Sequence, residues 1–226
     1  MDLMRIIRSF EEFIYEVMTW LLFYPRTLVR ILRHPVGMLE YAIAEQADPP
    51  EDQYSDSLSP PLFLMLTVVV CYIVERMTHL APAHATNGLL GQLLKSAEST
   101  LVTRSLLYAI FPLVFAADYI QVKRLALTRQ TLRPAFFGQC YLAGGFILLI
   151  AIGATALRLH AQPVIGAAPI AVGVVWYLTA NTLWFRKSLA IGAPSAVMLA
   201  LRGFALAMII ILALLTGIAL TSLTST

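Results

Sequence analysis

The stretch QCYLAGGFILLIAIGATALR, residues 139–158, contains twenty residues, and only the last of them is charged. A helix of that length covers the hydrocarbon core of a bilayer, which is roughly 30 Å thick. Because a chain in lipid must satisfy its own backbone hydrogen bonds, the stretch predicts a membrane-spanning helix. Four further apolar runs have the same character, at residues 62–80, 101–119, 164–184 and 198–221. The sequence therefore predicts an all-α integral membrane protein with a bundle of five transmembrane helices.

The amino-acid composition also indicates a membrane protein. Of the 226 residues, 59% are hydrophobic and 13% are charged, and the mean hydropathy is +0.77. Soluble globular domains are about 45–50% apolar and about 25% charged. The composition excludes a disordered protein, a secreted disulfide scaffold and a soluble metabolic enzyme. The two cysteines, Cys71 and Cys140, are interpreted as small buried hydrophobic residues.

The basic residues between the spans predict the orientation of the chain. If the N-terminus is cytoplasmic, the inner segments carry eleven Lys and Arg residues, and the outer segments carry only Lys95 and Arg158. The positive-inside rule then places the N-terminus in the cytoplasm and the C-terminus outside. Charges within the first twenty residues leave no apolar core for a cleavable signal peptide. Because the bases lie in short loops between apolar runs, nucleic acid is not an expected partner.

Residues 1–46 are predicted to form amphipathic helices at the cytoplasmic surface. Apolar residues recur at steps of three and four between residues 3 and 21, and charged residues occupy much of the other side. A helix of this kind lies on a membrane or against the bundle rather than crossing it. Pro25 is expected to begin a second short helix, and Pro35 to end it or begin a third. The basic residues expected to face lipid headgroups are Arg26, Arg30 and Arg33.

Residues 47–61, ADPPEDQYSDSLSPP, are rich in proline and acidic residues. This composition predicts an extended, solvated linker. Its acidic run is interpreted as a solubilising spacer, with a docking strip for a basic partner as the alternative. The chain thus divides into surface helices (1–46), an acidic Pro-rich linker (47–61) and a transmembrane domain (62–221).

Ionisable side chains within spans cost about 2.5–3.5 kcal/mol each at the bilayer centre, so each requires an interpretation. Glu75 and Arg104 lie near the outer ends of the first and second spans, at matching depths in an antiparallel hairpin. We predict an interhelical ion pair between them. Snorkelling of the side chains to the interface, and a transport or proton site, are the alternatives.

Asp118, Asn181 and Arg202 are candidate solute-binding or helix-contact residues near the inner ends of their spans. Asp118 lies close to Lys123 and Arg124, where an ion pair at the interface is expected. Arg202 can snorkel or meet Asp118. Asn181 is predicted to bond a neighbouring helix, with a substrate as the alternative partner.

No catalytic motif is recognisable in the sequence. It contains no GxSxG, HExxH or CxxC string, no phosphate-binding glycine loop and no DxxD pair. We therefore expect neither an enzyme nor a cofactor. His79, His84 and His160 fall on the predicted outer face near Glu75, but their spacing matches no zinc motif, so no metal site is predicted.

Small residues in the third and fourth spans predict close contacts between helices. Pro112 and Pro169 are predicted to kink the second and fourth spans. A kink can serve as a hinge for transport, although packing against a neighbour is the commoner use. The small residues concerned are Gly144, Gly145, Gly153, Gly166, Ala167, Ala171 and Gly173.

The string LLFYPRTLVRILRHP (21–35), followed by an acidic linker and five spans, resembles the bacterial branch of the Yip-domain family. Its eukaryotic members are Ypt/Rab-interacting membrane proteins. The strings LRPAFFGQCYLAGGF (132–146) and WYLTANTLWFRKSLAIG (176–192) are similar in style to the approaches to the family's third span and the end of its fourth. The resemblance covers residues 20–221 in topology and implies a five-span architecture with a cytoplasmic N-terminus. It implies no catalytic residues.

Two functions are compatible with these patterns. The first is a non-enzymatic accessory or scaffolding subunit that binds another membrane protein, its own copies or lipid. The second is a permease or channel for a small or lipidic solute, with Pro112, Pro169, Asp118 and Asn181 as its candidate residues. The loop charges and the family resemblance together predict the bacterial cytoplasmic (inner) membrane as the location.

Overall fold

The computed structural model describes residues 3–50, 52–78, 97–159 and 163–224, and every regular element in those ranges is an α-helix. In chain order the helices are α1 (Leu3–Arg33), α2 (Pro35–Glu45), α3 (Pro60–Met77), α4 (Ala97–Tyr108), α5 (Ile110–Val122), α6 (Arg129–Leu159), α7 (Pro163–Leu189) and α8 (Ala193–Thr224).

In the part of the chain that the structure describes, five segments are long and apolar enough to cross a membrane, by length and composition. These segments are α3, the α4–α5 pair over Glu98–Val122, α6, α7, and α8 over Ala193–Gly217. Over the described ranges, the prediction of an all-α protein with five such helices is confirmed. This architecture is that of an integral membrane protein.

The predicted and observed spans differ most at the start of the third. α6 begins at Arg129, whereas the predicted span begins at residue 139. Its first turns are mixed in polarity, so hydropathy does not count them as part of a span. They nevertheless continue the helix, and Ala135 and Gly138 within them are buried.

The two prolines predicted to kink spans have different local settings. The second span is interrupted at Ala109, between α4 and α5, one turn before Pro112. Proline has no N–H, so the carbonyl of Tyr108 lacks its usual donor four residues ahead. In the fourth span, α7 continues without interruption through Pro169.

The spans alternate in direction, so the bundle has two ends. We call the end at which α3, α6 and α8 begin the proximal end, and the opposite end the distal end. Short connections at residues 123–128 and 190–192 join the spans at the proximal end. At the distal end, Glu75 near the end of α3 contacts Arg158 near the end of α6 and Arg104, which lies two turns into α4.

α6 is the centre of the bundle and packs against α2, α3, α5 and α7. Aromatic rings fill the space between α5, α6, α7 and α8 around Tyr177, which has ring centroids of Phe146 at 4.8 Å and Phe115 at 5.2 Å. Glycines permit this close packing. A Cβ on Gly144 would lie 2.5 Å from a ring carbon of Phe63 on α3, so a larger residue there would displace the ring.

The helices α6 and α7 approach most closely near the distal end. A Cβ on Gly153 would lie 2.6 Å from the carbonyl oxygen of Gly166, so the two backbones are in direct contact. Of the small residues predicted for the fourth span, Gly166 and Gly173 are buried, whereas Ala167 and Ala171 are exposed. Only one side of the small-residue pattern therefore forms the helix contact.

α2 lies across the first turns of α6. Met38, Leu39 and Ala42 on one side of α2 are buried. A Cβ on Gly138 of α6 would lie 3.2 Å from the carbonyl oxygen of Leu39, so the two helices cross with their backbones close together. At the end of α7, Lys187 forms an exposed ion pair with Glu40. α2 is thus part of the folded bundle.

The prediction of a helix break at Pro25 is wrong, because α1 continues through that residue as one helix of 31 residues. The proline costs one backbone hydrogen bond. Tertiary contacts hold the helix on both sides of the loss: the ring of Tyr24 stacks on Phe63 at 5.3 Å, and Thr27 and Ile31 are fully buried. The second predicted boundary is observed, since α2 begins at Pro35.

The linker is folded rather than extended. Ser57 and Leu58 are buried, and the backbone N–H of Leu58 donates to the hydroxyl of Thr27 on α1. The hydroxyl of Tyr141 on α6 donates to the carbonyl oxygen of Leu58. Composition predicts solvation here, but these pairwise contacts are specified by single residues far apart in the chain.

Candidate functional site

The N-terminal half of α1 carries an apolar surface that the rest of the described chain leaves uncovered. We call residues 7–22 the α1 arm. Phe10 is 61% exposed, Phe13 is 58% exposed and Leu21 is 66% exposed. These residues follow helical spacing, so they lie on one side of the helix together with Ile14.

The α1 arm continues without a break into a firmly packed segment. Beyond it, Tyr24, Thr27 and Ile31 of the same helix contact the bundle. The indole N–H of Trp20, at the junction, donates to Glu16 at 3.2 Å. The arm is therefore a helical extension of an anchored element.

The three predicted lipid-facing arginines have different environments. Arg26 and Arg33 are exposed. Arg30 is engaged within the protein: its Nη1 donates to Asp56 at 2.9 Å, and its guanidinium lies 5.1 Å from the ring centroid of Tyr41. Only Arg26 and Arg33 thus keep the exposure that the lipid-facing prediction requires.

Asp56 ties the linker to α1 and α2. The hydroxyl of Tyr41 donates to its Oδ1 at 2.6 Å, opposite the bond from Arg30. The hydrogen bond from Tyr41 is the largest cause that holds the pKa of Asp56 below its ordinary value, and the bond from Arg30 adds to it. Burial acts in the opposite direction. Burial is also the main reason that the pKa of Tyr41 is raised, so this phenol is not a base near neutral pH. The arrangement fastens segments together and supplies no acid–base pair.

Asn181 lies in the core. Its Oδ1 accepts a hydrogen bond from Nε2 of Gln139 on α6 at 2.8 Å, and its Nδ2 donates to the carbonyl oxygen of Tyr177 at 3.0 Å. Asn181 and Gln139 are both fully buried. The amide therefore joins α7 to α6, which is the helix contact expected from the sequence.

Asp118 pairs with Arg202 of α8 near the proximal end. The carboxylate is buried, and its Oδ2 has no hydrogen-bond partner among the described residues. That oxygen rests against the backbone of Gly203, where a Cβ would lie 3.1 Å away. Lys123 instead lies over the ring of Tyr119, at 4.7 Å from its centroid. Arg202 is thus the cation that the structure brings to Asp118.

Glu75 and Arg104 are brought together at the distal end, where Nη1 of Arg104 donates to Oε2 of Glu75 at 2.6 Å. A third residue, Arg158, donates to Oε1 of Glu75 at 2.7 Å. The side chain of Glu75 is 15% exposed, that of Arg104 is 27% exposed and that of Arg158 is 35% exposed. We call them the distal charge cluster. They line a cavity of about 180 Å³ between α3, α4 and α6.

The contact of Arg158 with Glu75 was not predicted from the sequence, because Arg158 was counted among the residues of an outer loop. The same topology puts the end of the third span beside the end of the first, which could have indicated the contact.

No group of three or more His, Cys, Asp and Glu residues that could hold a metal occurs within the described ranges. The candidate histidines His79, His84 and His160 lie outside those ranges. Comparisons with models of known families, with curated proteins and with solved structures found no match.

Proposed function

We propose that the protein is a non-enzymatic membrane scaffold whose α1 arm docks into an apolar groove of a second membrane protein. The uncovered apolar side of the arm carries this proposal. Phe10, Phe13, Ile14, Val17 and Leu21 have the spacing with which amphipathic helices anchor in such grooves.

The charge of the arm favours a protein partner over an anionic lipid surface. Its acidic residues are Glu11, Glu12 and Glu16, and its one basic residue is Arg8, which gives the arm a net negative charge. Anionic headgroups would repel that charge. A groove with a basic rim would attract it, and complementary charge also speeds association.

The buried polar contacts weigh against the alternative of a permease or channel. Asn181 is bonded to Gln139, and Asp118 is paired with Arg202. These were the candidate solute residues, and both serve contacts between helices. The loop charges support a cytoplasmic N-terminus in a bacterial inner membrane. The motifs quoted above support membership of the Yip-domain family, and we retain both as parts of the proposal.

The test uses substitutions confined to the arm. Deleting residues 1–46 would also remove Ile31, Met38 and Leu39 from the core, so the deletion should end at residue 22. A finer variant is Phe10→Ser with Phe13→Ser, matched by Ser9→Ala with Thr19→Ser as a control that leaves the charge of the arm unchanged. Each aromatic anchor is expected to contribute about 2 kcal/mol, so the double serine variant should bind roughly a thousand-fold more weakly.

The protein and its companion would be extracted together from native membranes, identified by native mass spectrometry, and recombined after separate purification. We expect a stoichiometric companion that rebinds the wild type and the control, but neither the deletion nor the serine variant. Undiminished binding by the arm-deleted protein would contradict the proposal. So would tighter binding of the arm to anionic vesicles than to any protein.

A further inference from the structure

We propose that the distal charge cluster and its cavity form a binding site for a phosphate group carrying one negative charge. The inference concerns the end of the bundle opposite the α1 arm and does not depend on the docking function. It begins from a charge imbalance: two guanidinium groups share the single carboxylate of Glu75.

The described part of the transmembrane region places no second carboxylate in this cluster. After residue 60 the only acidic residues are Glu75, Glu98 and Asp118. Asp118 is at the proximal end, paired with Arg202. Glu98 is exposed and lies six residues before Arg104 on α4, a spacing that puts the two side chains on different sides of the helix. One positive charge of the cluster is therefore left for an outside anion.

The cavity offers such an anion room and hydrogen-bond donors. Its volume of about 180 Å³ exceeds the roughly 30 Å³ that a water molecule occupies in the liquid. Besides the two arginines, the hydroxyl-bearing residues Tyr108 and Thr155 line it. Each guanidinium has five N–H donors in a planar fork that matches phosphate oxygens, and the bond to Glu75 engages one of them.

The ends of α3 and α6 bring the cluster to the level of headgroup phosphates. Glu75 is two residues from the end of α3 at Met77, and Arg158 is one residue from the end of α6 at Leu159. Helices that span a bilayer leave its hydrocarbon core at their ends, where headgroup phosphates lie. The phosphate can thus belong to a lipid headgroup or arrive free from solution, and the chemistry of recognition is the same.

The experiment measures binding to the full-length protein. Purified protein in neutral detergent would be titrated with inorganic phosphate at constant ionic strength against chloride, with the melting temperature as the readout. Native mass spectrometry after incubation with phosphatidylglycerol would detect a retained lipid. A saturable rise in melting temperature identifies free phosphate as the ligand, and a retained lipid without that rise identifies a headgroup. The absence of both overturns the proposal.

Three variants locate the site. Arg158→Gln leaves the neutral Arg104–Glu75 pair intact and should weaken binding about ten- to hundred-fold, the effect of losing a charge-assisted hydrogen bond. Arg76→Gln removes an exposed charge next to Glu75 that does not line the cavity, and should bind as the wild type does. Equal binding by Arg158→Gln and the wild type would place the anion elsewhere and refute the site.

Glu75→Gln separates an anion site from a purely structural cluster. Without the carboxylate the two arginines repel each other, so the variant should be less stable than the wild type in the absence of anion. The same change removes a charge that repels phosphate, and binding should tighten about ten-fold. The variant should therefore recover more melting temperature on adding phosphate than the wild type gains. A Glu75→Gln protein that is destabilised but insensitive to phosphate would contradict the proposal.

Discussion

The replacement Gly166→Ala tests whether the contact between α6 and α7 holds the distal half of the bundle together. A Cβ at this position would lie 2.2 Å from Cγ of Leu157, 2.6 Å from the backbone nitrogen of Leu157 and 2.7 Å from the carbonyl oxygen of Gly153. Two of these atoms belong to the backbone of α6, so rotating a side chain cannot relieve the clash. An ordinary contact begins near 3.4 Å, and the helices must therefore separate by roughly 0.8 Å.

The expected cost follows from two opposing effects. Forcing an extra carbon into a packed contact costs about 1–3 kcal/mol. Alanine returns up to about 1 kcal/mol because it is a better helix former than glycine. The net destabilisation should be up to about 2 kcal/mol, which corresponds to a melting temperature lower by up to about 8 °C for a chain of this size.

The assay is thermal unfolding of purified protein in detergent, followed by circular dichroism. Gly217→Ala on α8 is the matched control, because the same Cβ there meets nothing within 4 Å. That variant should melt at or slightly above the wild-type temperature. If Gly166→Ala melts as high as Gly217→Ala, the close approach of α6 and α7 does not limit stability, and the reasoning fails.

Two further predictions concern polar contacts. Asn181→Ala removes the acceptor of the buried Gln139 amide and should lower the free energy of unfolding by about 1–3 kcal/mol. Gln139→Leu combined with Asn181→Leu should recover most of that loss. Equal melting temperatures of Asn181→Ala and the wild type would contradict this. The bonds from Tyr41 and Arg30 keep the pKa of Asp56 low, so they stabilise the fold above the unfolded-state pKa of about 3.9 and lose effect as the pH falls through the lowered folded-state pKa. The difference in melting temperature between wild type and Asp56→Asn should therefore shrink below about pH 4, and a difference that persists in acid would count against the assignment.

Hydropathy was sufficient to predict the five spans, because each must present an apolar surface over the thickness of a bilayer. It also led to the Glu75–Arg104 contact, since depth in a hairpin follows from counting residues along two adjacent spans. The separation along the sequence explains why the contact of Arg158 with Glu75 was not predicted. Arg158 joins Glu75 across 83 positions, and no local pattern encodes which distant helix end will be the neighbour.

The linker is a second case in which local sequence patterns did not predict contacts between distant residues. Its proline and acidic residues are typical of solvated chain, yet Leu58 and Ser57 are buried by contacts with Thr27 and Tyr141. Each contact depends on one hydroxyl at one position, and a composition average cannot register it. Pro25 illustrates the converse case, because packing of Tyr24 and Thr27 outweighs the loss of a single backbone hydrogen bond.

The packing of α2 on α6 has a consequence for the timing of synthesis. Leu39 rests against Gly138, which the ribosome adds roughly a hundred residues later, and at about 5–20 residues per second that interval lasts about 5–20 s. Throughout it, Leu39 lacks the α6 backbone on which it packs, whereas Met38 and Ala42 share a buried cluster with Ile31, Leu58 and Phe63, which are made earlier. One part of the core around α2 can therefore form early in synthesis, and the packing of Leu39 on α6 is completed only after the third span has been made.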